Sequence, residues 1–358
     1  NLCTFHGGAI FCKEKSELDK IELNLKKNIK YPVFAALITM QLQRMWEILG
    51  EPSTFYVAEM GSGTGILGRE VVRYAETLHS SFYCALRYIM LERRIVETNK
   101  QKNLLQVISD VHSIPLRSVE GCFISNELLD CFPVHRFRIE HGSILEIYVT
   151  LDKESEFVEV FGEPSTPLMI DSLKDLIDIL PEGFTGEVRF NIKPWVKQIS
   201  SALDKGFVMT IDYGYEKKDM CHENRFNGTV QTYHQHIQGS NPYRYIGSQD
   251  ITADVDFSHL ESEGGLVGLR SLELLSQEDF LKSLGFDQMR YSLLKKGLSQ
   301  RCHDANMMAM LQLIKSDGLG KFKVLIQEYN TGVSDKKQLL PGTALKNLLD
   351  VPLLSSEY

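Results

Sequence analysis

The chain has 358 residues, which is more than one typical domain, so we expect either an α/β core with sizeable insertions or two domains. Its net charge is −8 and its Lys and Arg residues are scattered, which argues against a nucleic-acid surface because binding phosphates needs clustered cations. No apolar run approaches the roughly 20 residues of a membrane span, so none is predicted, and no secretory signal is recognisable.

The cysteine and histidine pattern argues against a metal centre. The seven cysteines contain no Cys-x-x-Cys pair, which favours reduced thiols. The pairs Cys221-His222 and Cys302-His303 lack the spacing of zinc ligands. We therefore predict no metal site.

The first predicted element is a long helix. Residues 1–30 form a charged N-terminal segment with little pattern, whereas residues 31–49 carry apolar side chains over a broad helical face. Gly50-Glu51-Pro52 is expected to end this helix. The helix leads directly into the first predicted strand, so we expect it to lie against the sheet.

A glycine-rich turn follows that strand. Tyr56-Val57-Ala58 is apolar, as in a buried parallel strand, and apolar residues at helical spacing follow the turn. Ligands of an open α/β sheet bind at the carboxyl ends of its strands, where this turn lies. The candidate ligand-binding residues of the turn are Glu59, Gly61, Ser62, Gly63 and Gly65.

Three interpretations of this turn remain open. A dinucleotide site uses G-x-G-x-x-G to place a pyrophosphate at the helix N-terminus, but here the third glycine comes one residue earlier. Glu59 would repel a pyrophosphate and suits a ligand with a cationic amino-acid end. S-adenosylmethionine (SAM) is such a ligand, so the spacing favours SAM over a dinucleotide or a purely structural turn.

The next two predicted strands also end in acids. Tyr88-Ile-Met-Leu precedes Glu92, whose carboxylate could accept both ribose hydroxyls of a nucleoside. Leu105-Gln-Val-Ile-Ser precedes Asp110, which could accept the adenine amino group. One such acid alone is more typical of a helix cap or a solvated loop, but three at successive strand ends favour a SAM site.

A fourth strand, residues 122–124, is followed by a polar loop. Asn126, Glu127 and Asp130 emerge where the sheet meets its ligand edge, which in SAM enzymes faces the methyl acceptor. Alternatively, Asn126 or Asp130 only caps a short helix, which Pro133 would soon break.

Further elements follow in chain order. Residues 136–140 and 144–151 predict a β-hairpin that residues 157–161 extend. A buried strand is predicted over residues 207–211, and its tip, Asp212-Tyr213, is expected at the same ligand edge.

The last third of the chain begins with a polar stretch. Residues 215–265 predict a lid or substrate platform. A capped helix is predicted over residues 276–285, and a Met-rich helix near residues 306–314 separates the last two predicted strands, residues 288–294 and 322–327.

Four stretches resemble one known family. The 125–137 stretch, Ser-Asn-Glu-Leu-Leu-Asp-Cys-Phe-Pro-Val-His-Arg-Phe, is similar to the N-E-F-F-D-A-L-P-V-H-x-F signature of the MidA-type SAM-dependent methyltransferases. Residues 57–65 resemble its V-E-x-G-x-G-x-G loop, residues 206–214 its strand ending in I-D-Y-G, and residues 250–257 its D-x-T-x-H-V-D-F motif. The chain departs from the family at Asp254, where histidine is usual, and at Cys131, where alanine is usual.

The resemblance implies a fold and an activity. The fold would be a class I SAM-dependent methyltransferase: a Rossmann-like, mostly parallel, doubly wound sheet with an inserted substrate-recognition or lid region. The cofactor would be SAM and the product S-adenosylhomocysteine. The family includes a mitochondrial complex I assembly factor that methylates an arginine, so the implied partner is a protein carrying a target arginine, such as a respiratory complex I subunit. The implied compartment is the cytoplasm in a bacterium or the mitochondrial matrix in a eukaryote.

Methylating a guanidinium requires carboxylates that orient it. The candidate catalytic residues are Asn126, Glu127, Asp130 and Asp212, and Glu127 and Asp130 would share a face if their loop were helical. The candidate substrate-binding residues are Pro133, His135, Tyr213 and Asp256. Two alternatives stay open: an assembly protein that binds SAM without essential catalysis, and a small-molecule methyltransferase.

These predictions divide the chain into an N-terminal segment (1–30), a SAM-binding half of the core (31–135), an inserted hairpin and helical region (136–200), a core strand (201–214), a lid (215–265), a C-terminal part of the core (266–330) and a tail (331–358).

Overall fold

The structure is a computed structural model that describes residues 17–92, 105–108, 113–219, 225–235 and 237–333, with side chains from residue 32 onward except that of residue 105. Its helices are α1 Glu17–Ile48, α2 Ile66–Ala75, α3 Ser80–Ala85, α4 Pro167–Leu173, α5 Ile192–Ala202, α6 Phe257–Leu266, α7 Gln277–Ser283, α8 Phe286–Leu294 and α9 Gln300–Leu313.

The strands are β1 Phe55–Met60, β2 Leu86–Leu91, β3 Leu105–Ile108, β4 Val119–Asn126, β5 His135–Glu140, β6 Ser143–Leu151, β7 Phe157–Gly162, β8 Thr185–Val188, β9 Leu203–Asp212, β10 Gly214–Tyr215, β11 Gln231–His234, β12 Ile237–Gly239, β13 Asp250–Thr252, β14 Val255–Asp256, β15 Arg270–Ser276 and β16 Lys323–Tyr329.

The described residues form two compact units. The core unit comprises the described residues of Glu22–Leu128, Trp195–Tyr213 and Glu261–Tyr358. The insertion unit contains Leu129–Pro194 and the described residues of Gly214–Leu260. The division into segments drawn from the sequence stays a prediction, but its two insertions fall largely in the insertion unit.

The core unit contains a seven-stranded sheet in the order β15-β16-β9-β4-β1-β2-β3. The strands from β3 to β9 are parallel, whereas β16 runs antiparallel to both β9 and β15. The strand order reverses between β1 and β4, which is where open α/β sheets bind ligands. The predicted mostly parallel, doubly wound sheet is therefore confirmed.

Helix α1 contributes its residues from Val33 onward to the apolar core of this unit. Its Trp46 ring lies 5.7 Å from the ring of Phe82, measured between centroids, and its indole Nε1 donates to the Pro52 carbonyl oxygen at 2.9 Å. The helix begins at Glu17, within the segment for which no pattern is predicted, and gives way at Gly50, whose φ is 87°. The predicted glycine stop is thus confirmed, while the predicted start is 14 residues too late.

One predicted strand is wrong. Residues 288–294 belong to α8, and the strand that pairs with β16 is β15. This stretch buries Met289, Ser292 and Leu293, which is the i, i+3, i+4 spacing of a helix and not the alternation of a strand. The capped α7 that precedes it agrees with the prediction, since the Ser276 side chain accepts the Asp279 amide.

The insertion unit contains a four-stranded sheet in the order β7-β6-β5-β8. The predicted hairpin is present as β5 and β6, and its turn places His141 and Gly142 at φ values of 52° and 67°. The inner face of this sheet packs Phe137 and Ile139 against α4. A three-stranded sheet, β12-β11-β13, and the parallel pair β10 and β14 occupy the segment predicted as a lid.

Gly121 is required where β4 passes β1. The Cβ of an alanine there would lie 1.9 Å from the carbonyl oxygen of Tyr56, and a backbone atom cannot move aside cheaply. We expect Gly121→Ala to lower the free energy of unfolding by at least about 2 kcal/mol in urea denaturation. Gly297→Ala is the matched control, because its Cβ would meet nothing within 4 Å, and equal stability of the two variants would contradict this account.

Candidate functional site

The turn after β1 is built from glycines in left-handed conformations. Gly61, Gly63 and Gly65 have φ values of 71°, 56° and 70°, which other residues adopt only with strain. The amides of Gly61 and Ser62 donate to the Leu91 carbonyl oxygen at 2.9 and 3.3 Å, so the turn is fastened to the end of β2. Gly65 then begins α2.

The three glycines differ in what surrounds them. A Cβ at Gly61 would lie 2.7 Å from Leu128 Cδ1, and one at Gly65 would lie 2.7 Å from Met90 Sδ. A Cβ at Gly63 would meet nothing within 4 Å. The two end glycines of the turn are therefore packed against neighbouring side chains. The middle glycine leaves room for a ligand.

Glu92 stands at the tip of β2, as predicted. Its Oε2 accepts the amide of Gly63 at 2.8 Å, so the carboxylate lies against the open part of the turn. Its assignment to ribose binding stays a prediction. Asp110, predicted to bind adenine, lies outside the described residues.

Glu59 lies beneath the turn and is 4% exposed. Its Oε2 accepts the Tyr88 hydroxyl at 3.0 Å, and the Gly68 amide also donates to the carboxylate. Burial raises the pKa of Glu59 to about 8, although these hydrogen bonds act in the opposite direction. The group is thus largely protonated at neutral pH, which weakens the charge argument used to favour SAM. Its role in binding a cofactor stays a prediction.

Two predicted catalytic acids at the loop after β4 differ in their exposure to solvent. Asp212 is 0% exposed, and its two oxygens accept the amides of Leu128 at 3.2 Å and Tyr213 at 3.0 Å. Glu127 is exposed, has a φ of 51°, and donates its amide to the Ile211 carbonyl oxygen at 2.9 Å. Asp212 thus holds the loop in place, while the Glu127 carboxylate reaches solvent.

The helical alternative for this loop is wrong. Residues 127–132 form turns and bends, so Glu127 and Asp130 do not share a helix face. Glu127 is exposed and Asp130 is 6% exposed, so their surroundings differ. Asn126, at the end of β4, places its Nδ2 3.5 Å from Glu127 Oε1.

Predicted substrate residues also occur in the insertion unit. His135 Nδ1 lies 2.7 Å from Oε1 of Glu146, a carboxylate that is fully buried and also accepts the Tyr148 hydroxyl at 3.1 Å. Asp256 Oδ1 accepts the His259 amide at 3.1 Å, and burial raises the pKa of the Asp256 carboxyl. Pro133 precedes β5 and is half-buried.

The candidate residues are divided between the two units. The core unit brings together Glu59, Gly61, Ser62, Gly63, Gly65, Glu92, Asn126, Glu127, Asp212 and Tyr213. The insertion unit contains Asp130, Pro133, His135 and Asp256.

Arg189 was not predicted. It is 6% exposed, and its guanidinium donates to four main-chain carbonyl oxygens. These belong to Asp130, Phe132, Ala253 and Asp254, at 3.2, 3.5, 2.9 and 3.0 Å. Two motifs that lie far apart in the sequence are therefore joined by one side chain. The available signal was the alternation Glu187-Val-Arg-Phe, which places Glu187 and Arg189 on one side of an extended segment.

Two negative findings apply to the described residues. They contain no group of three His, Cys, Asp or Glu side chains placed to hold a metal ion. Among the helices described, none has the length and apolar character needed to cross a membrane.

The sheet order and the glycine turn define the fold of a class I SAM-dependent methyltransferase. Residues 37–274 match the model of a family described as "Putative S-adenosyl-L-methionine-dependent methyltransferase". The chain belongs to this family, which confirms the resemblance drawn from the motifs.

The chain is similar to mitochondrial relatives. Protein arginine methyltransferase NDUFAF7 of Rattus norvegicus is 24% identical over 302 residues, which is 74% of this chain and 64% of that protein. The NDUFAF7 homolog of Caenorhabditis elegans is 32% identical over 190 residues, which is 48% of this chain and 39% of that protein. The chain thus spans less than two thirds of the rat relative's length.

A solved structure shares the fold. A protein of Burkholderia thailandensis, crystallised with S-adenosyl-homocysteine bound, matches with a TM-score of 0.75 and 22% identity, over 87% of this chain and 80% of that one. The likeness extends beyond the core sheet, since it covers most of both chains.

The buried carboxyl of Glu59 generates a pH-dependent stability. Its pKa is about 8 in the folded chain and near 4.5 when exposed, so the unfolded state loses this proton first as the pH rises. Stability should therefore fall between these two pH values, by up to about 1.4 kcal/mol per pH unit from this group.

Glu59→Gln keeps an acceptor for Tyr88 and cannot ionise. We expect the free energy of unfolding of wild type to fall relative to this variant between pH 6 and pH 8 in urea titrations. Parallel pH profiles for the two proteins would contradict the proposed protonation of Glu59.

Proposed function

We propose that this chain is a SAM-dependent protein arginine N-methyltransferase that acts on a protein substrate. The observation that carries the cofactor assignment is the open middle of the glycine turn, beside the Glu92 carboxylate. The Ser62 hydroxyl adds to it, because Oγ is buried without a hydrogen-bond partner among the described residues. A buried polar atom of this kind is costly unless a ligand or water satisfies it.

These residues fit a nucleoside with an amino-acid tail. Glu92 would accept the ribose hydroxyls, and the backbone at Gly63 would allow the ligand to approach closely. Ser62 would hydrogen-bond a polar group of the tail. When bound, SAM supplies an electrophilic methyl group, and methyl transfer leaves S-adenosylhomocysteine.

The arginine assignment is supported by the relatives' names and by one exposed acid. A guanidinium has a pKa above about 12, so its nitrogen must be oriented by a carboxylate before it attacks. Glu127 is suited to this role because it is exposed at the end of β4, next to the glycine turn's own strand. Asp212 would act as a positioning residue, since it binds the Leu128 and Tyr213 amides.

The relatives support a narrower proposal. They are named as mitochondrial, so we propose a mitochondrial location. The resemblance to the family that includes a complex I assembly factor supports a respiratory complex I subunit as the proposed protein substrate. His135, Pro133, Tyr213 and Asp256 are proposed to contact that substrate, and Asp130 is proposed as a further catalytic acid.

Cofactor binding gives the first test. We expect SAM to bind the wild-type chain in isothermal titration and Glu92→Ala to weaken binding at least about tenfold, because two hydrogen bonds to a charged group are lost. Gly63→Val should also lose binding, since its side chain would occupy the open space. Glu76→Ala, at the far end of α2, is the matched control; equal loss in this control, or no binding by wild type, would refute the site.

Methyl transfer gives the second test. Glu127→Gln should reduce methylation at least about a hundredfold while SAM affinity stays within twofold, because the loss concerns the acceptor. The measurement is mass spectrometry of arginine peptides covering respiratory complex I subunits, with Glu261→Gln as the control.

Unchanged turnover in Glu127→Gln would refute its assignment. SAM binding by a wild-type chain that methylates none of these peptides would instead favour an assembly protein that retains the cofactor.

A further inference from the structure

Strand β7 forms an open edge of the insertion unit. It is the last strand of the order β7-β6-β5-β8 and pairs with β6 alone among the described residues. Its Val160 and Phe161 side chains are 41% and 45% exposed. An apolar edge strand is a ready template for pairing with another extended chain.

The register shows which backbone groups face outward. The Asp152 amide donates to the Glu156 carbonyl oxygen at 2.9 Å, so this pair is hydrogen-bonded at the closed end of the β6–β7 hairpin. Hydrogen-bonded pairs alternate along an antiparallel ladder, so Val158 and Val160 bond to β6. Glu159, between these two residues, and Phe161, directly after Val160, therefore direct their amide and carbonyl groups away from β6.

The same edge is strongly acidic. Residues 152–163 contain five acids and one lysine. Glu159 pairs with Arg136 and accepts the Tyr243 hydroxyl. Glu154, Glu156 and Glu163 are exposed and form no ion pair with any residue in the described ranges. Three exposed carboxylates therefore flank the outward-facing backbone of β7, with Glu154 and Glu156 before the strand and Glu163 after it.

We propose that β7 recruits the substrate by β-strand addition, binding an extended, arginine-rich segment of the target protein. This inference rests on the proposed function, because it assigns a docking surface to the same protein substrate. The segment's backbone would pair with the outward groups of β7, and its arginines would meet Glu154, Glu156 and Glu163. Glu156 and Glu163 lie seven residues apart in sequence, or about 23 Å along an extended chain, so a segment of similar length would reach both.

Two competing roles for this edge would give different results. Charges on an edge strand can simply prevent self-association, in which case a basic peptide would show no register-specific binding. The edge could also pair with a second copy of this chain, in which case assembly would depend on protein concentration.

The test uses a fluorescein-labelled peptide of twelve residues that alternates arginine and valine. Fluorescence anisotropy with the full chain, in the absence of SAM, should detect binding that weakens with added salt, and a peptide with glutamate in place of arginine should not bind. Two further peptides carry N-methyl groups on either the arginine or the valine amides. Strand addition uses one edge of the peptide, so their dissociation constants should differ at least tenfold.

A charge-reversal variant tests the contribution of the acids. Glu154→Lys, Glu156→Lys and Glu163→Lys together should weaken binding of the basic peptide at least about tenfold and permit binding of the acidic one. Asp171→Lys, Asp175→Lys and Asp178→Lys, also exposed in the insertion unit, form the control with the same change in net charge.

Several results would overturn the inference: equal binding of the two N-methylated peptides, equal effects of the two triple variants, or a dimer by light scattering that the first triple variant removes. Because anisotropy reports binding without turnover, edge-dependent binding by a chain that never transfers methyl would contradict the proposed function alone. Methyl transfer with binding that does not depend on this edge would overturn the inference about β7 alone.

Discussion

The register of the central parallel strands determines where each ligand-facing residue lies. Met60, Leu91 and Ser125 occupy one row across β1, β2 and β4. The residues that come next in the chain therefore lie at the same level at this edge of the sheet. These are Gly61, Glu92 and Asn126, the last residue of β4. Because the strand order reverses between β1 and β4, this row lies where open α/β sheets bind their ligands. The hydrogen bond from Gly63 to Glu92 then fixes the turn against its neighbouring strand.

Burial divides the candidate acids of the core unit into two kinds. Glu59 and Asp212 lie inside, where hydrogen bonds from Tyr88 and from backbone amides occupy their oxygens. Such groups stabilise one conformation of a loop and are costly to expose or to leave unpaired. Glu127 reaches solvent in a left-handed conformation that strains a residue other than glycine. The Glu127 carboxylate is exposed on a strained backbone, and the buried Asp212 carboxylate holds its loop. This arrangement is the one expected of a residue that contacts a ligand.

Sequence patterns predicted the sheet well because apolar runs that end in polar residues identify strand tips directly. They failed at residues 288–294, where a short stretch of mixed polar and apolar residues fits a strand or a helix. Only the burial of Met289, Ser292 and Leu293 identifies the helix. They assigned Glu59 a charge because they contain no information about burial, which raises its pKa to about 8. They also missed Arg189, since its partners are main-chain oxygens that no residue pattern encodes.

Arg189 joins two of the motifs that resemble the family. Residues 130–132 and 253–254 touch through the Ala253 amide, which donates to the Asp130 carbonyl oxygen at 3.1 Å, and the guanidinium bridges both stretches. Since these bonds use main-chain atoms, the side chains at 131 and 254 are less constrained by them. The chain's departures from the family pattern, Cys131 and Asp254, fall at these positions. Asp254 gains an ion pair with Arg225 at 3.5 Å, so the replacement of histidine there is compatible with the same backbone arrangement.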